Sequence, residues 1–185
     1  MPITVTVPAG SEVFDNVTNE FYTVSTDIRI VMEHSLISIQ QWEQKWHIPF
    51  LDRRRDRTSE QIIDYLRCMT LSKNVDEKVY YLLPASEINR IKQYIENPMT
   101  ATVIATTDSR RKVATEIKTA EVIYSDMILL GIPFECRKWH LNSLLMLITV
   151  CAEKQKPPKK MSRNDIYAQN KALNRARRAA MHSKG

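Results

Sequence analysis

At 185 residues the chain has room for one compact domain, which usually takes about 100–150 residues, plus an appendage. Apolar residues make up 43% and charged residues 26%, the proportions of an ordinary folded protein, which exclude a wholly disordered chain. The net charge of +6 is unevenly placed: residues 153–185 hold ten Lys or Arg against two acids, leaving 17 bases against 19 acids elsewhere, so a near-neutral body carries a basic extension suited to an acidic partner.

The three cysteines, Cys68, Cys136 and Cys151, form an odd set without a CxxC pair. That argues against a disulfide framework and a common zinc module and fits a reducing compartment. The N-terminus lacks a basic segment followed by an apolar run, so no secretion signal is expected. The longest apolar stretch, residues 144–150, is broken by Thr149 and falls far short of the roughly 20 residues of a membrane span. A cytosolic chain with no membrane partner is expected.

The elements follow in chain order. Ile3, Val5 and Val7 alternate with threonines, and Ile28, Ile30 and Met32 repeat the period of two, so the first thirty-odd residues read as strands of a small sheet. From Ser35 the pattern turns helical, with Ile39, Trp42 and Trp46 on one face, and stops before Ile48-Pro49, because the residue preceding a proline avoids the helical region. The run Asp52-Arg53-Arg54-Arg55-Asp56-Arg57 reads as a charged loop, and Thr58-Ser59-Glu60-Gln61 has capping-box spacing that starts a helix bearing Ile62, Leu66 and Met69. Ser86, with Ile88, Ile91 and Ile95, signals a further helix that Pro98 ends.

Residues 100–106 and 112–117, on either side of Asp108-Ser109-Arg110-Arg111, read as a hairpin. Residues 119–130 predict a helix bearing Val122, Ile123, Met127 and Leu130, closed by Gly131. The segment 135–152 is apolar on nearly all sides (Trp139, Leu141, Leu144, Leu145, Leu147, Ile148, Val150) and reads as a buried core helix. Lys156-Pro157-Pro158-Lys159-Lys160 is a semi-rigid spacer. Ser162 with Asp165 opens a last helix, in which Ile166, Leu173, Ala176 and Ala180 line one narrow stripe opposite Lys171, Arg175, Arg178 and His182. So little apolar surface leaves that helix marginal until a partner covers it.

The predicted fold class is α+β: a small N-terminal sheet and a hairpin packed on a mainly helical domain, with a C-terminal basic helical arm. The boundaries are a globular head over residues 1–153, a Pro/Lys linker over 154–161 and the basic arm over 162–185.

Little in the chain points to catalysis. Its three glycines, Gly10, Gly131 and Gly185, cannot build the backbone cradle of a P-loop or a dinucleotide fingerprint. Cys136 and His140, four residues apart, would share a helix face as two metal ligands or a thiol–imidazole pair. No further ligand or orienting group accompanies them, and a buried thiol beside a hydrogen-bonded histidine is the plainer reading. Glu33-His34 at a strand end and His47 at a helix end read as boundary residues. Helical spacing places Trp42, Trp46 and Trp139 in the core, with an exposed partner-binding surface as the alternative. No catalytic residue, metal or cofactor is therefore expected. The repeated tokens Lys-Trp-His and Ile-Pro-Phe, in reversed order around residues 45–50 and 132–140, read as coincidence rather than duplication.

Several stretches in series carry a resemblance: Met32-Glu33-His34-Ser35-Leu36-Ile37-Ser38 leading to Trp42-Glu43-Gln44-Lys45-Trp46-His47-Ile48-Pro49-Phe50-Leu51; Pro98-Met99-Thr100-Ala101-Thr102; Ile132-Pro133-Phe134-Glu135-Cys136-Arg137-Lys138-Trp139-His140-Leu141-Asn142; and Pro157-Pro158-Lys159-Lys160-Met161-Ser162-Arg163. From about residue 28 onward the chain resembles small proteins of long-tailed bacteriophages, some of which are labelled tail-assembly chaperones. The resemblance implies a non-enzymatic protein of the host cytoplasm that binds the tape-measure protein, with tail-tube subunits as further partners. It also implies a longer form made by ribosomal frameshifting, for which Ser183-Lys184-Gly185 permits a slippery TCA-AAG-GGN. The alternative is a structural neck or tail protein of the virion, and the third reading is a nucleic-acid-binding phage protein. The arm's charge pattern alone selects Arg163, Lys171, Arg175 and Arg178 as partner-binding residues.

Overall fold

Alternation in the first and fourth strands sets the position of the core. In the computed structural model, which describes residues 1–15, 19–52, 54–103, 117–155 and 163–181, β1 (Ile3–Val7) pairs antiparallel with β4 (Ile28–Met32). The register sets Ile3 opposite Met32, Val5 opposite Ile30 and Val7 opposite Ile28. Directly opposed residues share a sheet face, so the period-two apolar residues of both strands form one surface, on which Val5, Val7, Ile30 and Met32 are fully buried. Both outer edges of this two-stranded sheet are occupied, as sheet edges need to be. On the β4 side the Leu71 N–H donates to the Val31 carbonyl at 2.8 Å and the Val31 N–H to Ser72 Oγ at 2.9 Å. On the β1 side Arg90 donates to the Thr4 carbonyl at 3.3 Å.

A second antiparallel pair, β2 (Glu12–Asp15) with β3 (Glu20–Thr23), forms a separate hairpin. Its cross-strand pair Phe14 and Phe21 meets edge to face at 5.2 Å with both rings exposed. The hairpin expected over 100–117 lies mostly outside the described residues, and residues 100–103, which are described, form no strand. The fold is α+β, with the helices carrying most of the core.

Helix α1 (Leu36–Trp46) begins at Ser35, whose Oγ accepts from the Ser38 N–H while Ser38 Oγ accepts from the Ser35 N–H. It ends at His47 in the left-handed region, φ +53°, which turns the chain toward Ile48-Pro49. Helix α2 (Ser59–Met69) starts with the expected reciprocal box, the Gln61 N–H donating to Thr58 Oγ1 and the Thr58 N–H to Gln61 Oε1. A 3₁₀ helix, Glu77–Leu82, precedes α3 (Ala85–Glu96), which begins at Pro84 rather than at Ser86. Helix α4 (Ala120–Leu129) turns out through Gly131 at φ +67°, the conformation in which glycine carries no side-chain penalty.

The segment read as one buried helix from residue 135 is two elements, a 3₁₀ helix Phe134–Lys138 and α5 (Leu141–Gln155). Only Leu141, Leu144 and Ile148 of α5 are fully buried, so it presents one stripe to the core instead of being enclosed. It also runs through Lys154 and Gln155, two residues into the expected linker. The rest of the linker, residues 156–161, and the expected cap Ser162 lie outside the described residues. By its own contacts the chain divides into two compact units, Met1–Glu153 and Lys154–Gly185, and the second contains α6 (Arg163–Ala180).

The carboxylate of Glu43, buried on α1, ties two distant segments together. It accepts from the Phe50 N–H at 2.7 Å and from the Ala120 N–H at 2.8 Å. Thr119 makes no side-chain cap, so Glu43 supplies the acceptor, and the negative charge, that the first turn of α4 needs. Burial pushes its pKa up, while the two amide hydrogen bonds oppose that shift. Glu43→Gln turns one acceptor into an NH₂ facing a backbone N–H. The expected cost is about 1–3 kcal/mol, read as a lower urea midpoint at unchanged slope. An unaltered midpoint would remove Glu43 as the cap of α4.

Candidate functional site: a basic arm and a buried polar cluster

Two places in the molecule gather polar chemistry. The first is buried in the head, where Glu33 and His34 follow the last residue of β4. Both are buried. The Tyr94 hydroxyl of α3 bonds Glu33 Oε1, and His34 Nδ1 shares a 2.5 Å hydrogen bond with the Tyr65 hydroxyl of α2. His140, which precedes α5, lies with its ring centroid 5.1 Å from that of His34 and 4.9 Å from that of Tyr94.

The tautomer of His140 follows from its partners. Its Nε2 lies 3.0 Å from the Tyr94 carbonyl, which can only accept, and its Nδ1 receives the Asn142 N–H at 3.3 Å. The proton therefore sits on Nε2, and a second proton on Nδ1 would face an N–H donor. Burial, followed by the charge His140 would carry, lowers the His34 pKa to about 3. Burial likewise lowers the pKa of His140, against the opposing effects of the Tyr94 carbonyl bond and Glu33. Burial raises the hydroxyl pKa values of Tyr65 and Tyr94, reinforced at Tyr94 by its bond to Glu33. The cluster is thus a satisfied, uncharged imidazole–phenol network. Among the described residues no buried side-chain nitrogen or oxygen lacks a partner, so nothing is left pointing at a ligand.

A concavity of about 430 Å³ on the head is lined by other side chains, among them Lys45, Asp64, Arg67, Cys68, Glu77 and Tyr80. Its charges satisfy one another: Lys45 reaches Asp64 at 2.5 Å, and Arg67 bonds Glu77 and lies 3.4 Å from Asp64. Burial works against ionisation of Asp64, but hydrogen bonds from Lys45 and Trp46 hold its carboxyl below the ordinary range. Burial raises the Cys68 thiol to about 11, which makes it a poor nucleophile near neutrality.

Cys136 and His140 do not share a helix face. Cys136 belongs to the 3₁₀ helix, its thiol pushed up by burial and by Glu135, and His140 stands between that helix and α5. Among the described residues no three His, Cys, Asp or Glu side chains are placed to hold a metal ion. Of the tryptophans, Trp42 is core at 1% exposure, Trp46 is half-buried, and Trp139 is 49% exposed. Core packing thus fails for Trp139.

The second place is α6. Lys171, Arg175 and Arg178 are all exposed and fall on one face at spacings of four and three. Arg163 begins the helix, and its side chain lies outside the described residues. A concavity of about 550 Å³ runs along the helix beside Lys171 and Arg175, floored by Ala168, Ala172, Ala176 and Ala179. Sequence reasoning passed over Glu33 and His34 as the centre of a network, because the signal is the tertiary meeting of α2, α3 and α5.

The chain matches no family model, no curated protein and no solved structure. No described helix is long and apolar enough to cross a membrane.

The histidine cluster predicts acid sensitivity. A histidine whose folded pKa is depressed adds stability that is fully present above its unfolded value and is lost as pH falls toward the folded one. For His34 that window runs from 6.5 down to about 3, so between pH 6.5 and 4 it alone should remove about 3 kcal/mol. Urea midpoints at pH 7 and pH 4 measure this, and His34→Asn should shrink the difference between them. An equal acid dependence in the variant would assign the effect to other groups.

Proposed function

We propose that this chain is a non-enzymatic tail-assembly chaperone of a long-tailed bacteriophage, acting in the host cytoplasm by binding the tape-measure protein while the tail is built. The reading rests on the phage-like stretches from about residue 28 onward, and one observation carries its mechanism. Helix α6 has 18 residues, and its side chains, where described, are all exposed. A helix with so little apolar surface gains little from folding alone and gains most by laying itself against a partner. Recognition of a helical segment through an amphipathic helix is a common form of such binding. The arm's one aromatic residue, Tyr167, provides poorly for stacking on single-stranded nucleic acid, so a protein partner is favoured.

Replacing Lys171, Arg175 and Arg178 together with Glu keeps helix propensity nearly constant while reversing the charge of that face. Association with the co-expressed tape-measure protein should fall by at least about tenfold, with the head still folded. Undiminished co-purification would take these residues out of the interface. Mass spectrometry of purified virions separates an assembly factor from a neck or tail component: the protein should be abundant in infected cells and absent from particles. Recovery at a fixed copy number per particle would establish the structural reading in its place.

A further inference from the structure

Both edges of the β1–β4 sheet are occupied, but among the described residues the β2–β3 hairpin leaves one edge open. The Val24 N–H donates to the Ser11 carbonyl at 2.9 Å, one step beyond the opposed pair Glu12 and Thr23. Opposed residues of an antiparallel ladder alternate between hydrogen-bonded and non-hydrogen-bonded pairs. Glu12 with Thr23 and Phe14 with Phe21 are therefore non-bonded pairs, and the N–H and C=O groups of Phe21 and Thr23 point away from β2. Strand β2 lies against the 3₁₀ helix Glu77–Leu82, whereas no described strand pairs with the far side of β3. Among the described residues nothing outside the hairpin hydrogen-bonds the backbone of Phe21 or Thr23.

The side chains beside that edge select what can pair with it. Phe21 is 64% exposed and rests edge to face on Phe14, so an apolar surface stands next to the open backbone groups. Glu12 and Glu20 are exposed. Residues 1–28 contain four acids, Glu12, Asp15, Glu20 and Asp27, and no Lys, Arg or His. A two-stranded hairpin is marginal by itself, and a third strand would satisfy its edge and cover its rings. A second copy of β3 is a poor occupant, because it would bring another Glu20 and no cation, whereas opposite charges attract across paired strands and like charges repel.

We propose that β3 is a docking edge for an extended basic segment of a partner protein, which adds as an antiparallel third strand with an apolar residue across from Phe21 and a Lys or Arg across from Glu20. The backbone groups of Phe21 and Thr23 supply the pairing, and the side chains supply the selectivity. Glu20 and Phe21 are neighbours in sequence and point to opposite faces, so the segment recognised alternates basic and apolar residues. This surface belongs to the head and does not depend on what the arm binds.

Fluorescence anisotropy of labelled peptides of about eight residues, long enough to span a strand of this length, tests the full chain. One peptide alternates Lys and Val, a second alternates Ser and Val, and a third carries the lysines and valines of the first in two blocks. The Lys/Val peptide should bind at least about tenfold more tightly than either of the others. Thr23→Pro, which removes an outward N–H where an edge strand tolerates proline, should weaken it at least about tenfold, and Glu20→Lys at least about threefold, each with circular dichroism unchanged. A probe change serves the same end without altering the protein. The valine amides face β3 in this register, so N-methylation of the valines should abolish binding and N-methylation of the lysines should leave it intact. Equal binding of the block peptide, indifference to Thr23→Pro, or undiminished binding of the valine-methylated peptide would each overturn the proposal. So would self-association of the free chain that Thr23→Pro abolishes, since the edge would then belong to a second copy.

Discussion

The Leu141 amide donates to the His34 carbonyl at 2.7 Å, and this bond fixes where the later half of the head meets the earlier half. Around it, three consecutive residues serve four helices. The Glu33 N–H donates to the Met69 carbonyl at the end of α2, and Glu33 Oε1 holds Tyr94 of α3. His34 packs its ring on Tyr65 and His140. Ser35 caps α1 and also bridges to His140 ahead of α5. Each hydrogen bond nets only about 1 kcal/mol, but orphaning one buried partner costs about 1–3. A domain with about 5–15 kcal/mol to lose tolerates few such failures, so a change at this junction disturbs every element that converges on it.

Aromatic packing extends the junction. Trp42 meets Phe50 edge to face at 5.2 Å, and Phe50 lies 4.1 Å from Tyr65, so a file of rings runs from α1 through α2 to His34, His140 and Tyr94. Trp42 keeps its indole N–H satisfied by the Gln61 carbonyl at 2.9 Å, which lets a large polar-edged ring sit in the core without an unmet donor. Arg57 closes one side, its guanidinium stacked 4.2 Å from the Phe50 ring and bonded to the Phe50 carbonyl. What reads in sequence as a solvated arginine-rich loop therefore supplies one residue that braces the core.

Legibility of the fold divided along the range of the interactions involved. Caps and sheet alternation depend on residues within four positions of one another, and the helix start at Ser35, the box at Thr58, the turn at Gly131 and the inner face of β1 and β4 all appear in the sequence as they do in the structure. The β2–β3 hairpin escaped separate notice because its apolar pair, Phe14 with Phe21, faces water, so the alternation that marks a half-buried strand is absent. Trp139 was misplaced for the opposite reason. Its run of apolar letters reads as one continuous helix, but the chain breaks direction at residues 139–140, between the 3₁₀ helix and α5, and the indole is half exposed. The cluster around His34 and His140 is illegible locally, since those two residues stand 106 positions apart in the chain and meet only in three dimensions.

Head and arm answer to different demands on composition. The head spends its large apolar residues on one connected core, and its ionic groups are largely paired or kept neutral at the sites where they are buried. The arm has alanine where a core helix would have leucine, and arginine where a self-sufficient helix would alternate acids and bases. Alanine and arginine favour the helical backbone without supplying a surface to bury. Such a sequence keeps the geometry of a helix available with little stability of its own. Since the side chains of α6, where described, are exposed, substitutions there leave the core of the head untouched, whereas substitutions at the Glu33–Ser35 junction act on whether the head folds.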